Sequence, residues 1–235
     1  MRNVYRYIIV GTAWIALVVS SISLGVHADE PKGESLFNGK DLSGWKGVDG
    51  HWSVEDGAIV GRTTAEKPLK SNTFLIFQGK PLKDFSLTLN YKIEGGNSGI
   101  QYRSRVIDAE KFIIGGYQAD IDIGLKFTGI CYDERGRGIL VQRGQKVAIG
   151  ADGKKQVTQF AKADDLKKYV HNKEWNHYKI VAKETRLQHF INDVLMSEVN
   201  DAQTGKSVRE GVLALQLHQG PPMVIRFKNI RCERF

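Results

Sequence analysis

Period-two alternation of apolar and polar residues runs through most of the chain. In Ser86–Ile93, Leu87, Leu89, Tyr91 and Ile93 share one face, while Ser86, Thr88, Asn90 and Lys92 share the other. After the turn-forming EGGNSG at 94–99, Ile100, Tyr102, Ser104 and Val106 oppose Gln101, Arg103 and Arg105. GYQADID at 116–122 sets Tyr117, Ala119 and Ile121 against Gln118, Asp120 and Asp122, and GVLALQLH at 211–218 sets three leucines against Ala214, Gln216 and His218. Further strands are predicted over Ser53–Gly61, Phe74–Phe77, Gly124–Tyr132, Gly138–Arg143, His177–Ala182, Leu187–Ile191 and Val224–Arg231. QFAKADDLKKYVHN at 159–172 departs from this rule: Phe160, Ala163, Leu166, Tyr169 and Val170 recur near the helical period, which predicts one short amphipathic helix. Many short strands and one helix define an all-β sandwich of two antiparallel sheets.

The polar faces differ in chemistry. Ser86–Lys92 carries the mixture expected where a strand meets water. Gln101/Arg103/Arg105, Gln118/Asp120/Asp122 and Gln216/His218 carry amides, carboxylates, guanidinium groups and an imidazole. Such groups offer paired donors and acceptors that match vicinal hydroxyls. If the three strands lie in one sheet, they form a polar groove for a polyhydroxylated ligand; the alternative is a solvated exterior.

Composition narrows the class. At 235 residues, 41% hydrophobic and 26% charged, the sequence is that of a folded domain. Arg2 and Arg6 precede an uncharged stretch from Ile8 to Val26, and Val26-His27-Ala28 offers a cleavage site before Asp29. Residues 1–28 are therefore expected to be a signal peptide, with an uncleaved N-terminal anchor as the alternative, and residues 29–235 a single exported domain, periplasmic or extracellular. A membrane is a partner only if that segment is retained. Without the two arginines the formal charge falls from +8 to +6, spread without a basic stripe, so no nucleic-acid partner is expected. Cys131 and Cys232 are either a disulfide, which an exporting route permits, or two buried thiols. Neither has zinc-ligand or nucleophile spacing.

ESLFNGKDLSGW (34–45), WSVEDGAIVG (52–61), NSGIQYRS (97–104), GYQADID (116–122), WNHYKIVAKETRLQHFIND (175–193), GVLALQLHQGPP (211–222) and IRFKNI (225–230) occur in order over residues 34–234. Together they resemble the 3-keto-disaccharide hydrolase family. The resemblance implies a concanavalin A-like jelly roll and action on glucosides oxidised at C3, with a separate oxidoreductase supplying the ketone. It also implies either hydrolysis or elimination across C1–C2.

A C3 ketone acidifies the C2 proton through enolate formation, after which the C1 substituent can leave. The chemistry needs a base, a donor or positive charge at the enolate oxygen, and an acid for the leaving group. His218, Asp120 and Arg103 supply these types: His218 for proton transfer, Asp120 as orienting partner or second acid/base, and Arg103 at the enolate oxygen. Exchanging His218 and Asp120 fits the sequence equally. Gln101, Gln118 and Gln216 are candidates for the hydroxyls, with Asp122, Tyr132 and Arg135 as further substrate contacts. No cofactor is firmly implied, although Asp120 and Asp122 could hold a divalent cation such as calcium. His177 and His189 read as structural, and Trp52 as core or as a sugar-stacking platform.

Two rivals remain distinguishable. A retaining glycosidase needs two acids on one strand face about 5 Å apart. Asp120-Ile121-Asp122-Ile123-Gly124 is followed by Leu125, so that pattern is incomplete. A non-catalytic carbohydrate-binding module would use the same groove without proton transfer.

Overall fold

The computed structural model describes residues 32–235, so the expected signal peptide or anchor lies outside the described residues. The chain forms β1 (Glu34–Ser35), β2 (Trp45–Lys46), β3 (Trp52–Glu55), β4 (Ala58–Thr63), β5 (Thr73–Phe77), β6 (Phe85–Glu94), β7 (Asn97–Asp108), β8 (Ile113–Asp122) and β9 (Cys131–Glu134). There follow β10 (Gly138–Val141), β11 (Gln145–Ile149), β12 (Lys155–Gln159), α1 (Ala163–Lys167), β13 (Asn176–Lys183), β14 (Arg186–Ile191), β15 (Val194–Asp201), β16 (Val212–Leu217) and β17 (Met223–Arg234).

The strands make two sheets. One is ten-stranded, in the order β12-β11-β15-β14-β13-β6-β17-β4-β3 with β1 on β17; the other is seven-stranded, in the order β10-β9-β8-β7-β16-β5-β2. All pairs are antiparallel except β11 with β15, which is parallel. The predicted pattern of two antiparallel sheets therefore holds apart from that one pair.

Alternation explains the core. Leu87, Leu89, Tyr91 and Ile93 of β6 face inward and are buried, while Ser86, Thr88, Asn90 and Lys92 are half-exposed. They meet Ile100, Tyr102, Tyr117, Ala119 and Ile121 of β7 and β8, with Leu213, Leu215 and Leu217 of β16, in one continuous cluster. Each such aliphatic side chain contributes about 1.5–3 kcal/mol on burial. His189 is buried here too: its Nε2 pairs with Tyr102 Oη at 2.8 Å and its Nδ1 with the Ile130 carbonyl at 3.0 Å. Burial pushes its pKa down to about 4, so it is a neutral core residue. Trp52 also belongs to the core.

Three local expectations fail for physical reasons. The helix spans only Ala163–Lys167: Gln159 pairs with β11, the Phe160 and Ala161 N–H groups donate to the Gly144 carbonyl, and Lys162 provides no side-chain cap. Phe160 and Tyr169 are consequently exposed. The strand expected over 124–132 is a loop followed by β9, since Asp122 gathers the backbone of 126–128 into a turn. A bulge between Tyr102 and Arg105 breaks the alternation of β7. Arg103 takes φ 46° there, and Ser104 joins the face of Gln101 rather than the core face.

Beyond that bulge the β7–β8 hairpin folds back over the outer face of the seven-stranded sheet. The Phe112 carbonyl accepts from Phe74 N at 3.0 Å, and the Lys111 carbonyl accepts from Thr73 Oγ1 at 3.1 Å. Ile114 thereby closes over Phe74, Ile76 and Ala214, a second buried apolar cluster. That part of the outer face is dry, and the polar residues lie on the rest of it.

Candidate functional site

The polar part is built around a missing side chain. Gly99 of β7 stands opposite Asp120 of β8, and Gln101 opposite Gln118. A Cβ on Gly99 would lie 2.6 Å from the Gln118 side chain, so glycine leaves the space that this side chain occupies. Gln118 Nε2 donates to Asp120 Oδ1 at 2.5 Å, and Gln118 Oε1 accepts from Gln101 Nε2 at 2.8 Å. Gln101 Oε1 in turn accepts from Ser104 Oγ at 2.6 Å. The relay Ser104–Gln101–Gln118–Asp120 fixes both amides and ends on the carboxyl group. Gln101 is thus buried beneath the site and supports Gln118 instead of touching a ligand.

Above this relay is a cleft of about 270 Å³. Its floor is Gln118, Asp120 and Gln216; Tyr132, Glu134 and Ile139 form one wall; Phe127, Asn72, Asn97 and His218 form the rest. The structure brings together His218, Asp120, Gln118 and Gln216, as the alternation predicts, and adds Tyr132 from β9. Gln216 is fully buried, and both its Nε2 and Oε1 lack a hydrogen-bond partner among the described residues. An unpaired buried amide costs about 1–3 kcal/mol, a cost that a ligand bearing a donor and an acceptor removes.

Burial pushes the Asp120 pKa up to about 8, reinforced by the Glu134 and Asp122 charges and opposed by the Gln118 hydrogen bond. At neutral pH Asp120 is chiefly a neutral carboxylic acid able to donate. His218 Nδ1 lies 2.5 Å from the Gln219 carbonyl. A carbonyl only accepts, so Nδ1 is the donor in this contact.

Three expected site residues lie elsewhere. Arg103 does not reach the cleft: at the bulge its guanidinium crosses toward the other sheet. There it donates to the carbonyls of Lys83 and Glu184 at 2.6 and 2.7 Å and pairs with Asp84 at 2.9 Å. It joins the sheets and cannot meet an enolate. Asp122 accepts from the backbone N–H groups of Lys126, Phe127 and Thr128 and from Thr128 Oγ1, so its oxygens are committed to the loop. Arg135 lines a different cavity.

Glu134, Asn72, Asn97, Phe127 and Ile139 were not singled out from the sequence. Glu134 has the clearest signal. Once β9 is recognised as Cys131–Glu134, period two puts Tyr132 and Glu134 on the face of Gln118. Burial pushes the Glu134 pKa up, with Arg135, Asn72 and His218 opposing. No Lys or Arg lines the cleft among the described residues. Nor do three or more His, Cys, Asp or Glu gather there as a metal site. With Asp122 spent, the carboxylates lining the cleft are Asp120 and Glu134. Cys131 and Cys232 are buried free thiols.

Two packed β-sheets with a polar cleft on the outer face of the smaller one define a concanavalin A-like jelly roll. The chain belongs to the family of the 3-keto-alpha-glucoside-1,2-lyase-like domain, whose model matches residues 32–233. Comparison with curated protein sequences gives no match. Among solved structures, the carbohydrate-binding module CBM66 from Bacillus subtilis is similar at TM-score 0.53 and 17% identity, over 81% of this chain and 95% of that one. A glycosyl-hydrolase-like protein from Parabacteroides distasonis is similar at TM-score 0.53 and 23% identity, over 85% and 92%. A β-glucanase from Bacillus licheniformis is similar at TM-score 0.50 and 9% identity, over 86% and 97%. At these identities the likeness is one of fold.

Proposed function

We propose that the protein cleaves the C1–O bond of glucosides already oxidised to a ketone at C3, with His218 as base and Asp120 as acid. The observation that carries this reading is the meeting, in one cleft, of the Asp120 carboxyl group, whose pKa burial raises to about 8, and the His218 imidazole, whose Nδ1 is tied to the Gln219 carbonyl. His218 Nε2 removes the C2 proton, and the C–H electron pair moves onto the C3 oxygen as an enolate. The unpaired Gln216 amide donates to that oxygen in place of a cation; a single donor of this kind contributes on the order of 10²–10³ in rate. Reforming the C3 carbonyl makes the C1–C2 double bond and expels the aglycone oxygen, which takes the Asp120 proton. If the enone leaves, the net reaction is a lyase reaction. If water adds at C1, its proton returns to Asp120, the imidazolium returns one to C2, and the net reaction is hydrolysis. A separate oxidoreductase supplies the ketone, and export places the protein outside the cytoplasm.

The test is to incubate the purified protein with a 3-keto aryl glucoside and with its unoxidised parent. Release from the ketone alone, falling about 10²–10⁴-fold in His218→Ala and Asp120→Asn, supports the reading. Saturable binding of plain oligosaccharides with no release from either substrate would overturn it in favour of a carbohydrate-binding module. Solvent deuterium at C2 of the product marks elimination followed by hydration.

A further inference from the structure

A second cavity lies across the β8–β9 ribbon from the cleft. Successive residues divide between the two: Tyr117 and Asp133 line this cavity, while Gln118 and Glu134 line the cleft. Side chains of adjacent strand residues point to opposite faces, so the ribbon is a wall and the two spaces are separate. The cavity holds about 430 Å³. That is the size of sites that take a whole small molecule, which run to about 300–1,000 Å³, and more than a bare ion needs.

Its lining is cationic: Arg105, Arg135, Arg137 and Lys206, against Asp133. Arg137 is already committed. Its Nε donates to Asp133 at 2.7 Å, its two terminal nitrogens to Asp201 at 3.0 and 2.7 Å, and Nη1 also to Gln203 at 2.9 Å. That clamp consumes both nearby carboxylates. Arg105, Arg135 and Lys206 are left with no ion pair or side-chain hydrogen bond among the described residues, around one space. All three are exposed at its rim, where an entering anion can meet them without displacing an existing ion pair. Arg135 also holds φ 54°, a left-handed position where glycine or asparagine is less strained. Turn geometry alone gives no reason for arginine there.

We propose that this cavity binds a small polar molecule carrying an oxyanion, with a hexuronic acid as its type ligand. Arg105, Arg135 and Lys206 meet the carboxylate, and Ser207 with the fixed Arg137–Asp133 pair meets the hydroxyls. The site is independent of the reaction in the cleft.

Calorimetric titration of the protein at constant ionic strength tests this with glucuronate, glucose 6-phosphate, glucose and inorganic phosphate. Glucuronate is expected to bind saturably and glucose not to bind. Arg105→Gln and Arg135→Asn are each expected to weaken glucuronate about tenfold. Asparagine tolerates the left-handed position, so Arg135→Asn keeps or raises the unfolding temperature, which excludes misfolding as the cause. His218→Ala should bind glucuronate unchanged, and so separates this site from the cleft. Binding of glucose 6-phosphate in place of glucuronate supports the oxyanion reading with phosphate as its source. No saturable binding of either, undiminished glucuronate binding when Arg105→Gln and Arg135→Asn are combined, or inorganic phosphate binding as tightly as both would overturn it.

Discussion

Gln216 shows how much a single side chain can disclose. It sits in a leucine-rich strand, fully buried, with neither amide atom paired. Replacing it with leucine should raise stability by about 1 kcal/mol while lowering turnover of a 3-keto glucoside at least tenfold. Denaturant melts and initial rates on the same preparation check both halves. Asp120 gives a pH signature. Its pKa is 3.8 in an ordinary setting and about 8 in the fold, so the folded state binds the extra proton across that interval. Stability therefore falls as pH rises from about 4 to about 8, and Asp120→Asn should flatten that slope. The same titration sets the alkaline limb of the activity profile, because an ionised Asp120 has no proton for the aglycone. Both residues were legible from alternation alone. The elevated pKa was not, because it depends on burial and on Glu134, a residue brought near by pairing across β8 and β9.

At the scale of elements, the bulge in β7 decides most of what sequence reading could not. Strict period two put Arg103 beside Gln101; one extra residue turned it toward Lys83, Asp84 and Glu184. Nothing in NSGIQYRSRVID announces that irregularity. Arg103→Met should cost about 2–4 kcal/mol, because the carbonyls and carboxylate it serves lose their donor, yet leave kcat of the folded protein near wild type. A large kcat loss at full folding would return Arg103 to the chemistry. The loop after β8 makes the same point. Asp122 looked like a ligand-facing acid because its face matches Asp120, but the turn it caps lies just downstream and claims both oxygens.

Across the whole molecule, the sandwich was readable because its leucine, isoleucine and tyrosine rows repeat every second residue over long strands. β12 was not readable, since all its residues are exposed and no apolar face marks it. β15 was missed because adjacent Met196 and Ser197 are both buried. The fold also settles the cysteines. Burial pushes Cys131 up to about 12 and Cys232 up to about 11, so both are protonated thiols with low reactivity. A thiol reagent should label neither until unfolding, and reductant should leave the unfolding midpoint unchanged; a lower midpoint on reduction would reveal a bridge.

The folded-back end of the β7–β8 hairpin limits what the sheet can accept. By packing Ile114 on Phe74, Ile76 and Ala214, it removes that stretch of the outer face from contact with a ligand. A chain laid along the whole sheet would run into that cover, whereas a single terminal ring needs only the polar cleft beside it. For the proposed glycoside reaction this cover predicts faster turnover of a 3-keto disaccharide than of a longer 3-keto oligosaccharide, and equal rates on the two would show that the cover does not select by length.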